Sequence, residues 1–410
     1  MRLALWSGLV LGLLAVFLMA GCQPQVRVEQ GFVPLKKKRA EGIVDRLALN
    51  NQGLSSWEAL RPALKRSLEY VSSKPAGDLA VDRYGLQVSW GRLEASLHRL
   101  LRLLPHLEYA PGLLAEFFTW YSLEPSPLFT GYYEPQIEAS LEYSPEYCHP
   151  IYGRPEDLKV ADLGEFHPSL EGTSLVYRIE DGKIEPYFDR QAIDGRGAIL
   201  EKAPIIAWAK NPVDIFFLQI QGSGRLVLPD GRVKHIGYAS KNGRQYVSLG
   251  RVMHELGYLE RHELSMQAIR GYLQNNPELL PEILYTNPSY VFFRLRDSGP
   301  YGAMNRQLTP MVSLAVDPEY LALGSAMVFS VGLPGKGSED TLPLTGFGLA
   351  QDVGGAIKEH HLDLFCGTGR QAKYTAGHLK KRGEVYLLLA NDKAPAEALQ
   401  FAGEGDSGGS

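Results

Sequence analysis

Two aspartates, Asp352 and Asp363, lie eleven residues apart, and the pair Gly354–Gly355 follows the first of them. The glycines indicate a tight backbone turn, which needs a positive φ or the close approach of another group. Two carboxylates joined by such a turn can share acid–base chemistry, because different environments separate their roles. Both residues could equally be turn formers that accept hydrogen bonds from local backbone amides, and the spacing leaves both interpretations open.

Asp363 lies in an alternating segment, His361–Phe365, with Leu362 and Leu364 on the opposite face. This pattern predicts a half-buried strand. Asp317 closes a further apolar segment, 311–317, so three carboxylates lie within or at the ends of apolar strands. A buried carboxylate needs hydrogen-bond donors, a partner charge or a function. The three-aspartate pattern is therefore more specific than the pair alone.

A second set of candidate residues is polar and aromatic. Gln219 and Gln221 fall on one face of a predicted strand, and a glycine turn with Ser223 follows them. Amide side chains offer both a donor and an acceptor, which suits sugar hydroxyls and N-acetyl groups. Tyr132 and Tyr133 offer flat faces for sugar rings. The simpler interpretations are a surface strand for the glutamines and core packing for the tyrosines.

The remaining pattern predicts a helix-rich N-terminal region followed by short strands. Apolar residues at helical spacing predict helices over 56–72, 92–104 and 112–121, and again over 247–259 and 265–287. Asp181-Gly182 and Asp230-Gly231 predict hairpin turns. Strands are predicted within 127–140, 175–188, 214–239, 289–295, 311–317, 326–333, 346–352, 361–365 and 383–389. Short apolar strands separated by Gly and Pro turns indicate a compact β-barrel.

The first 22 residues have the form of an export signal: Arg2, an apolar run to Ala20, and small residues before Cys22. The cysteine after Ala20-Gly21 makes the segment similar to a bacterial lipoprotein signal, which implies that Cys22 is lipidated. Gln23, in place of an aspartate, implies an outer-membrane address. An uncleaved membrane anchor is the alternative. Residues 23–50 are predicted to form a tether, and 396–410 a flexible tail.

Charge and cysteine usage exclude other classes of function. The chain has 42 Lys and Arg against 46 Asp and Glu, a net charge of −4, which argues against a nucleic-acid partner. Cys148 and Cys366 could form a disulfide but establish no framework. The histidines and cysteines lack metal-ligand spacing, so neither a metal nor another cofactor is expected.

Several segments in fixed order resemble the membrane-bound lytic murein transglycosylase A family. The resemblance covers roughly residues 129–389 and is weak in the helical N-terminal region. Its final part resembles the three-aspartate domain of that family and of related cell-wall proteins. Val312, Glu359 and Lys373 depart from the family pattern, none of them at a proposed catalytic residue. The segments are FTGYYEP (129–135), AWAKNPVDIFFLQIQGSGR (207–225), YASKNGRQYVSLGRVM (238–253), NPSYVFFRL (287–295), LTPMVSLAVDPEYLALGSAMVF (308–329) and 352–363.

The resemblance implies a mainly β fold with an N-terminal helical region. It implies a double-psi β-barrel over 51–135 and 266–395, interrupted by a second β-barrel over 136–265, with glycan bound in the groove between them. It also implies cleavage of the β-1,4 bond between N-acetylmuramic acid and N-acetylglucosamine, leaving a 1,6-anhydromuramoyl end. The family's catalytic aspartate falls on Asp363, with Asp352 beside it. The residues expected to bind substrate are Tyr132, Tyr133, Gln219, Gln221, Ser223 and Asp317.

One carboxyl group can serve this reaction, because the sugar's own 6-hydroxyl replaces water as the nucleophile. Asp363 would protonate the leaving oxygen and then accept the hydroxyl proton. Burial or the charge of Asp352 would raise its pKa for this role. The expected partners are peptidoglycan strands, outer-membrane lipid through Cys22, and cell-wall synthesis enzymes, at the periplasmic face of a Gram-negative outer membrane. The alternatives are a water-using muramidase and a non-catalytic peptidoglycan-binding lipoprotein.

Overall fold

The computed structural model describes residues 31–83, 85–335 and 341–393. The predicted signal, Cys22, the first part of the tether and the tail lie outside these residues. Residues 31–50 were expected to continue the tether, but they begin the fold. Strand β1 (Gly31–Pro34) pairs antiparallel with β4 (Phe118–Glu124), and helix α1 (Lys37–Val44) buries three apolar side chains.

The N-terminal region is helical, as predicted. It contains α2 (Arg61–Val71), the hairpin β2 (Leu79–Arg83) and β3 (Leu86–Ser89), and α3 (Trp90–Leu107). Helix α3 begins at Ser89, whose hydroxyl accepts a hydrogen bond from the Arg92 amide. Its leucines at spacings of three and four are buried against the sheet that contains β4. The short α4 (Leu113–Phe117) ends where β4 begins, so the helix predicted over 112–121 is correct only in its first half.

A nine-stranded sheet carries two of the predicted aspartates, Asp352 and Asp363. Its other strands are β5 (Leu128–Glu134), β15 (Ser313–Ala315), β16 (Ala326–Pro334), β17 (Thr341–Asp352), β18 (His361–Thr368), β19 (Lys380–Arg382) and β20 (Glu384–Ala390). The strand order is β1-β4-β20-β16-β17-β15-β18-β5-β19. Among the described strands no pairing joins the edges β1 and β19, so the sheet is open here. The double-psi barrel therefore stays a prediction.

A six-stranded sheet occupies the middle of the chain, in the order β14-β13-β12-β6-β11-β7. Its strands are β6 (Gln136–Ser140), β7 (His149–Tyr152), β11 (Ile205–Ala209), β12 (Ser223–Val227), β13 (Val233–Lys241) and β14 (Val291–Arg296). A smaller sheet contains β8 (Lys159–Asp162), β9 (Ser174–Glu180) and β10 (Lys183–Pro186). Both predicted hairpins are confirmed, β9–β10 around Asp181-Gly182 and β12–β13 around Asp230-Gly231. The helices beyond β11 are α5 (Pro212–Gln221), α6 (Leu249–Glu255), α7 (Met266–Asn275), α8 (Leu280–Tyr285) and α9 (Gly369–His378).

Residues 214–221, predicted as a strand with Gln219 and Gln221 on one face, form helix α5 instead. Asn211 caps this helix by accepting a 2.8 Å hydrogen bond from the Val213 amide, and proline occupies the first turn. Gly222, with a φ of +73°, ends it. Six of the ten residues of α5 are buried, and five of these are consecutive, from Ile215 to Gln219. Burial on most sides removes the helical periodicity from the sequence, so the short alternation of the glutamines was misleading.

Candidate active site

Four neighbouring strands bring Asp352, Asp363 and Thr130 into one row. Ala315 of β15 pairs with Asp352 of β17 on one side and with Asp363 of β18 on the other. Asp363 in turn pairs with Thr130 of β5. Adjacent strands lie about 4.8 Å apart, so one intervening strand separates the two carboxylate-bearing residues. The structure thus brings together the two aspartates that the sequence predicted as a pair.

The side chain of Asp363 points to the face of β18 opposite the one on which Leu362 and Leu364 are buried. Leu362 and Leu364 are at most 1% exposed, whereas Asp363 is half-buried, as the alternating pattern predicted. The Thr130 hydroxyl donates a 2.7 Å hydrogen bond to Asp363 Oδ1. Burial raises the pKa of Asp363 to about 7; the Thr130 hydrogen bond opposes this shift and the charge of Asp352 adds to it. Near neutral pH this carboxyl group can therefore both give and take a proton.

Asp352 accepts three hydrogen bonds. The Tyr132 hydroxyl donates to Oδ2 at 2.8 Å, and the amides of Ala303 and Val353 donate to Oδ1 at 2.9 Å. The Ala303 amide comes this close because Gly302 precedes it, where a Cβ would lie 2.4 Å from the Gln351 carbonyl oxygen. Burial raises the pKa of Asp352 to about 6, against the lowering effect of the three donors. With three donors against the single Thr130 donor to Asp363, Asp352 has the better stabilised carboxylate of the two.

Asp317 lies beyond the row and holds the loop that joins the other two aspartates. The residue is 4% exposed, and its carboxylate accepts a 2.9 Å hydrogen bond from the Glu359 amide. Glu359 has a φ of +53°, a conformation that favours glycine. The predicted glycine turn needs Gly354 because the Ile357 side chain packs closely against it. A Cβ at Gly354 would lie 2.5 Å from that side chain. Asp317 thus anchors the loop, and its contact with substrate stays a prediction.

Tyr132 and Tyr133 point to opposite faces of β5, and both are less than 10% exposed. Tyr132 packs against Phe365, with ring centroids 5.2 Å apart, while its hydroxyl reaches Asp352. Tyr133 packs with Cys366 and α9. The core-packing interpretation therefore fits both rings, and their contact with substrate stays a prediction.

The structure does not place the glutamines beside Asp363. Gln219 is 7% exposed, and its amide oxygen accepts a 2.6 Å hydrogen bond from the Arg190 guanidinium. Gln221 accepts from the Tyr133 amide at 2.9 Å and so ties α5 to β5. Ser223 is buried at the start of β12. Of the three residues, Gln221 makes the hydrogen bond to the nine-stranded sheet. Binding of substrate by any of them stays a prediction.

Two residues of the site, Thr130 and His361, were not recognised in the sequence. His361 Nε2 lies 2.9 Å from Thr130 Oγ1, and burial lowers the pKa of the imidazole. The contact between Thr130 and Asp363 spans 233 positions of sequence, so local spacing carries no signal for it. The pair His360–His361 was visible in the sequence, but it lacks metal-ligand spacing and no other role was predicted for it. A cavity of about 570 Å³ opens beside His361, lined by Pro125, Leu128, Tyr320, Lys358, Glu359, His360, His361 and Arg382.

The cysteines do not form the disulfide that their number allowed. Cys148 and Cys366 are both free thiols, and burial raises the pKa of Cys366. Within the described ranges, no group of three or more His, Cys, Asp or Glu side chains has the arrangement of a metal site.

Two family models match the chain: the MltA specific insert domain over residues 128–294 and the 3D domain over residues 312–389. The chain is 32% identical over 275 residues to a membrane-bound lytic murein transglycosylase A of Vibrio cholerae, covering 66% of this chain and 67% of the relative. A membrane-bound lytic murein transglycosylase from Agrobacterium tumefaciens has a similar structure, with a TM-score of 0.70 and 29% identity, covering 85% of this chain and 97% of that one. E. coli MltA, solved with bound chitohexaose, shares the fold at a TM-score of 0.59 and 23% identity, over 81% of this chain and 90% of that one.

Proposed function

Because the chain belongs to the membrane-bound lytic murein transglycosylase A family, we propose that this enzyme cleaves the β-1,4 bond between N-acetylmuramic acid and N-acetylglucosamine and leaves a 1,6-anhydromuramoyl end. The observation that carries the proposal is Asp363, whose pKa is raised to about 7 beside a second, hydrogen-bonded carboxyl group. A carboxyl group that titrates near neutral pH suits a residue that is acid in one step and base in the next.

Asp363 performs both proton transfers in this mechanism. The protonated carboxyl group donates to the glycosidic oxygen while the bond from that oxygen to the anomeric carbon breaks. The resulting carboxylate takes the proton of the muramoyl 6-hydroxyl while O6 bonds to the same carbon. One proton leaves Asp363 and one returns, and no water is consumed. Asp352, whose carboxylate accepts three hydrogen bonds, supplies a nearby negative charge that stabilises the positive charge developing on the sugar.

The substrate is a glycan strand of peptidoglycan, which lies in a groove between a double-psi barrel and the inserted domain. The contacts of β5 with α5, made through Tyr133 and Gln221, support this position because they join the two sheets next to Thr130. The cavity beside His361 opens two residues along β18 from Asp363. E. coli MltA was solved with bound chitohexaose, which makes that oligosaccharide a suitable probe for this chain.

The enzyme is anchored to the outer membrane by lipid on Cys22, faces the periplasm and meets cell-wall synthesis enzymes there. Support comes from the lipoprotein-like signal and from the membrane-bound relatives. In the part of the chain that the structure describes, none of the helices combines the length and apolar character that crossing a bilayer demands. Growth in labelled palmitate tests the anchor: wild type should take up the label, and a Cys22→Ala variant should not.

Turnover of purified sacculi by the full chain in detergent tests the role of Asp363. Asp363→Asn should lower the release of muropeptides by about 10²- to 10⁴-fold, the usual range for loss of a general acid–base group. The exposed Asp45 provides the matched control, and Asp45→Asn should release muropeptides at the wild-type rate. Undiminished turnover by Asp363→Asn would remove Asp363 from the mechanism. Binding of sacculi without turnover by wild type would favour the non-catalytic alternative.

A further inference from the structure

We propose, building on the acid–base role proposed above for Asp363, that His361 is a positioning residue that controls the protonation of Asp363 through the hydroxyl of Thr130. The three side chains form a continuous chain of hydrogen bonds. Thr130 Oγ1 lies 2.7 Å from Asp363 Oδ1 and 2.9 Å from His361 Nε2. His361 and Asp363 lie two residues apart on β18, so their side chains share one face of the sheet. Thr130 of the neighbouring parallel strand β5 pairs with Asp363, and its side chain lies on the same face.

The hydroxyl of Thr130 has one proton, so it can donate to only one of its two neighbours at a time. A hydrogen bond with the Ala356 backbone raises the pKa of His361, as a carbonyl that accepts from a ring N–H does. We assign this bond to Nδ1, because Nε2 is the ring nitrogen that lies beside Thr130. In this assignment the neutral imidazole carries its proton on Nδ1, and Nε2 is an acceptor. Nε2 then accepts the Thr130 proton, and Thr130 Oγ1 accepts from the protonated Asp363. The chain is complete when Asp363 is an acid and His361 is neutral.

Ionisation of Asp363 breaks this arrangement. The carboxylate needs the Thr130 proton, and the neutral Nε2 then loses its donor. His361 thereby disfavours ionised Asp363 and keeps it protonated before the glycosidic bond breaks. After the proton has left, the same competition for the Thr130 hydroxyl makes the carboxylate a stronger base toward the 6-hydroxyl. Asp363 loses and regains one proton, and Thr130 and His361 each keep theirs.

Other charged or titratable groups lie near the three hydrogen-bonded side chains. The carboxylate of Asp352 and the hydroxyl of Tyr132 lie on the Asp363 side, together with the buried thiol of Cys366. Lys380 of β19 lowers the pKa of His361. The cavity beside the imidazole adds Lys358, Glu359, His360 and Arg382. Substitution of His361 or Thr130 leaves all of these groups in place, so a change in the pH profile reports the hydrogen-bond chain.

The pH dependence of kcat/KM on soluble glycan strands separates the two substitutions by sign. His361→Phe frees the Thr130 proton for the carboxylate, so the alkaline limb should move to lower pH by about one unit, a tenfold change in the ionisation constant. Thr130→Val removes the donor to the carboxylate, so the limb should move to higher pH. The double variant should match Thr130→Val, because His361 acts only through Thr130. His254 is exposed and bonds the Leu259 carbonyl, and His254→Phe should leave the limb unchanged.

Shifts in the same direction for both single variants, additive shifts in the double variant, or an unmoved limb in folded His361→Phe would each overturn the proposal. Nitrogen-15 NMR of labelled histidine gives a readout that needs neither turnover nor the His361→Phe variant. Thr130→Val removes the donor to neutral Nε2, so the pKa of His361 should rise relative to wild type; no rise would refute the chain. If wild type shows no turnover while the pKa of His361 still rises in Thr130→Val, the proposed function is refuted and the hydrogen-bond chain stands.

Discussion

Replacing Asp363 with asparagine should stabilise the fold, and the gain should be larger at pH 8 than at pH 5. Asparagine keeps the shape of the side chain, and its amide oxygen can still accept the Thr130 hydrogen bond seen at 2.7 Å. What the substitution removes is an ionisable group whose charged form is disfavoured by burial.

The size of the effect follows from the pKa of Asp363, which is raised from 3.8 to about 7 in the folded chain. Between these values the folded state binds more protons than the unfolded state, so the stability of wild type falls as the pH rises. Over the interval from pH 5 to pH 7 the loss amounts to about 2 to 3 kcal/mol, at about 1.36 kcal/mol per pH unit. The asparagine variant lacks this loss, because its side chain does not titrate.

Urea denaturation followed by tryptophan fluorescence, at pH 5 and pH 8, measures the difference. The free energy of unfolding of Asp363→Asn minus that of wild type should be about 2 kcal/mol or more larger at pH 8 than at pH 5. Asp45→Asn, at an exposed position, controls for the general effect of removing one negative charge. A gain that is equal at both pH values, or larger at pH 5, would refute the burial argument for Asp363.

Three further substitutions test other parts of the site and its support. Tyr132→Phe removes one of the donors to Asp352, so carbon-13 NMR should show the pKa of that carboxyl group raised by about 1 to 2 pH units; an unchanged or lower pKa would contradict the assigned hydrogen bond. Glu359→Gly should be more stable than Glu359→Ala by about 1 kcal/mol in the free energy of unfolding, because of the φ of +53° at this position. Calorimetry should therefore give Glu359→Gly the higher melting temperature, and the reverse order would contradict the left-handed conformation. Arg190→Ala should cost about 3 to 5 kcal/mol in denaturant unfolding, because the buried guanidinium bonds Gln219 and two backbone carbonyls; wild-type stability would show that this network contributes little.

The features that the sequence predicted correctly are those set by local pattern. The leucines of α3 gave the helix its buried face, and the Asp-Gly pairs marked both hairpins. The alternation around Asp363 predicted which face of β18 carries the carboxyl group. Each of these depends on contacts within a few residues of the chain, where side-chain period and turn chemistry act directly.

The features that were missed depend on pairing between distant segments. Thr130 meets Asp363 only because β5 and β18 pair in parallel across more than two hundred residues, and the Ala303 amide reaches Asp352 from a separate loop. Helix α5 is a different case. Asn211-Pro212 is a typical helix start, but the buried run that follows it lacks a polar face and so resembled a strand.

The most direct test of the central claim is mass spectrometry of sacculi digested by the wild-type enzyme in water enriched in oxygen-18. Attack by the muramoyl 6-hydroxyl, with Asp363 as the single acid and base, predicts 1,6-anhydromuramoyl ends that contain no oxygen-18. Reducing ends that carry oxygen-18 would contradict it, and would assign water as the nucleophile with Asp352 as the second working carboxylate.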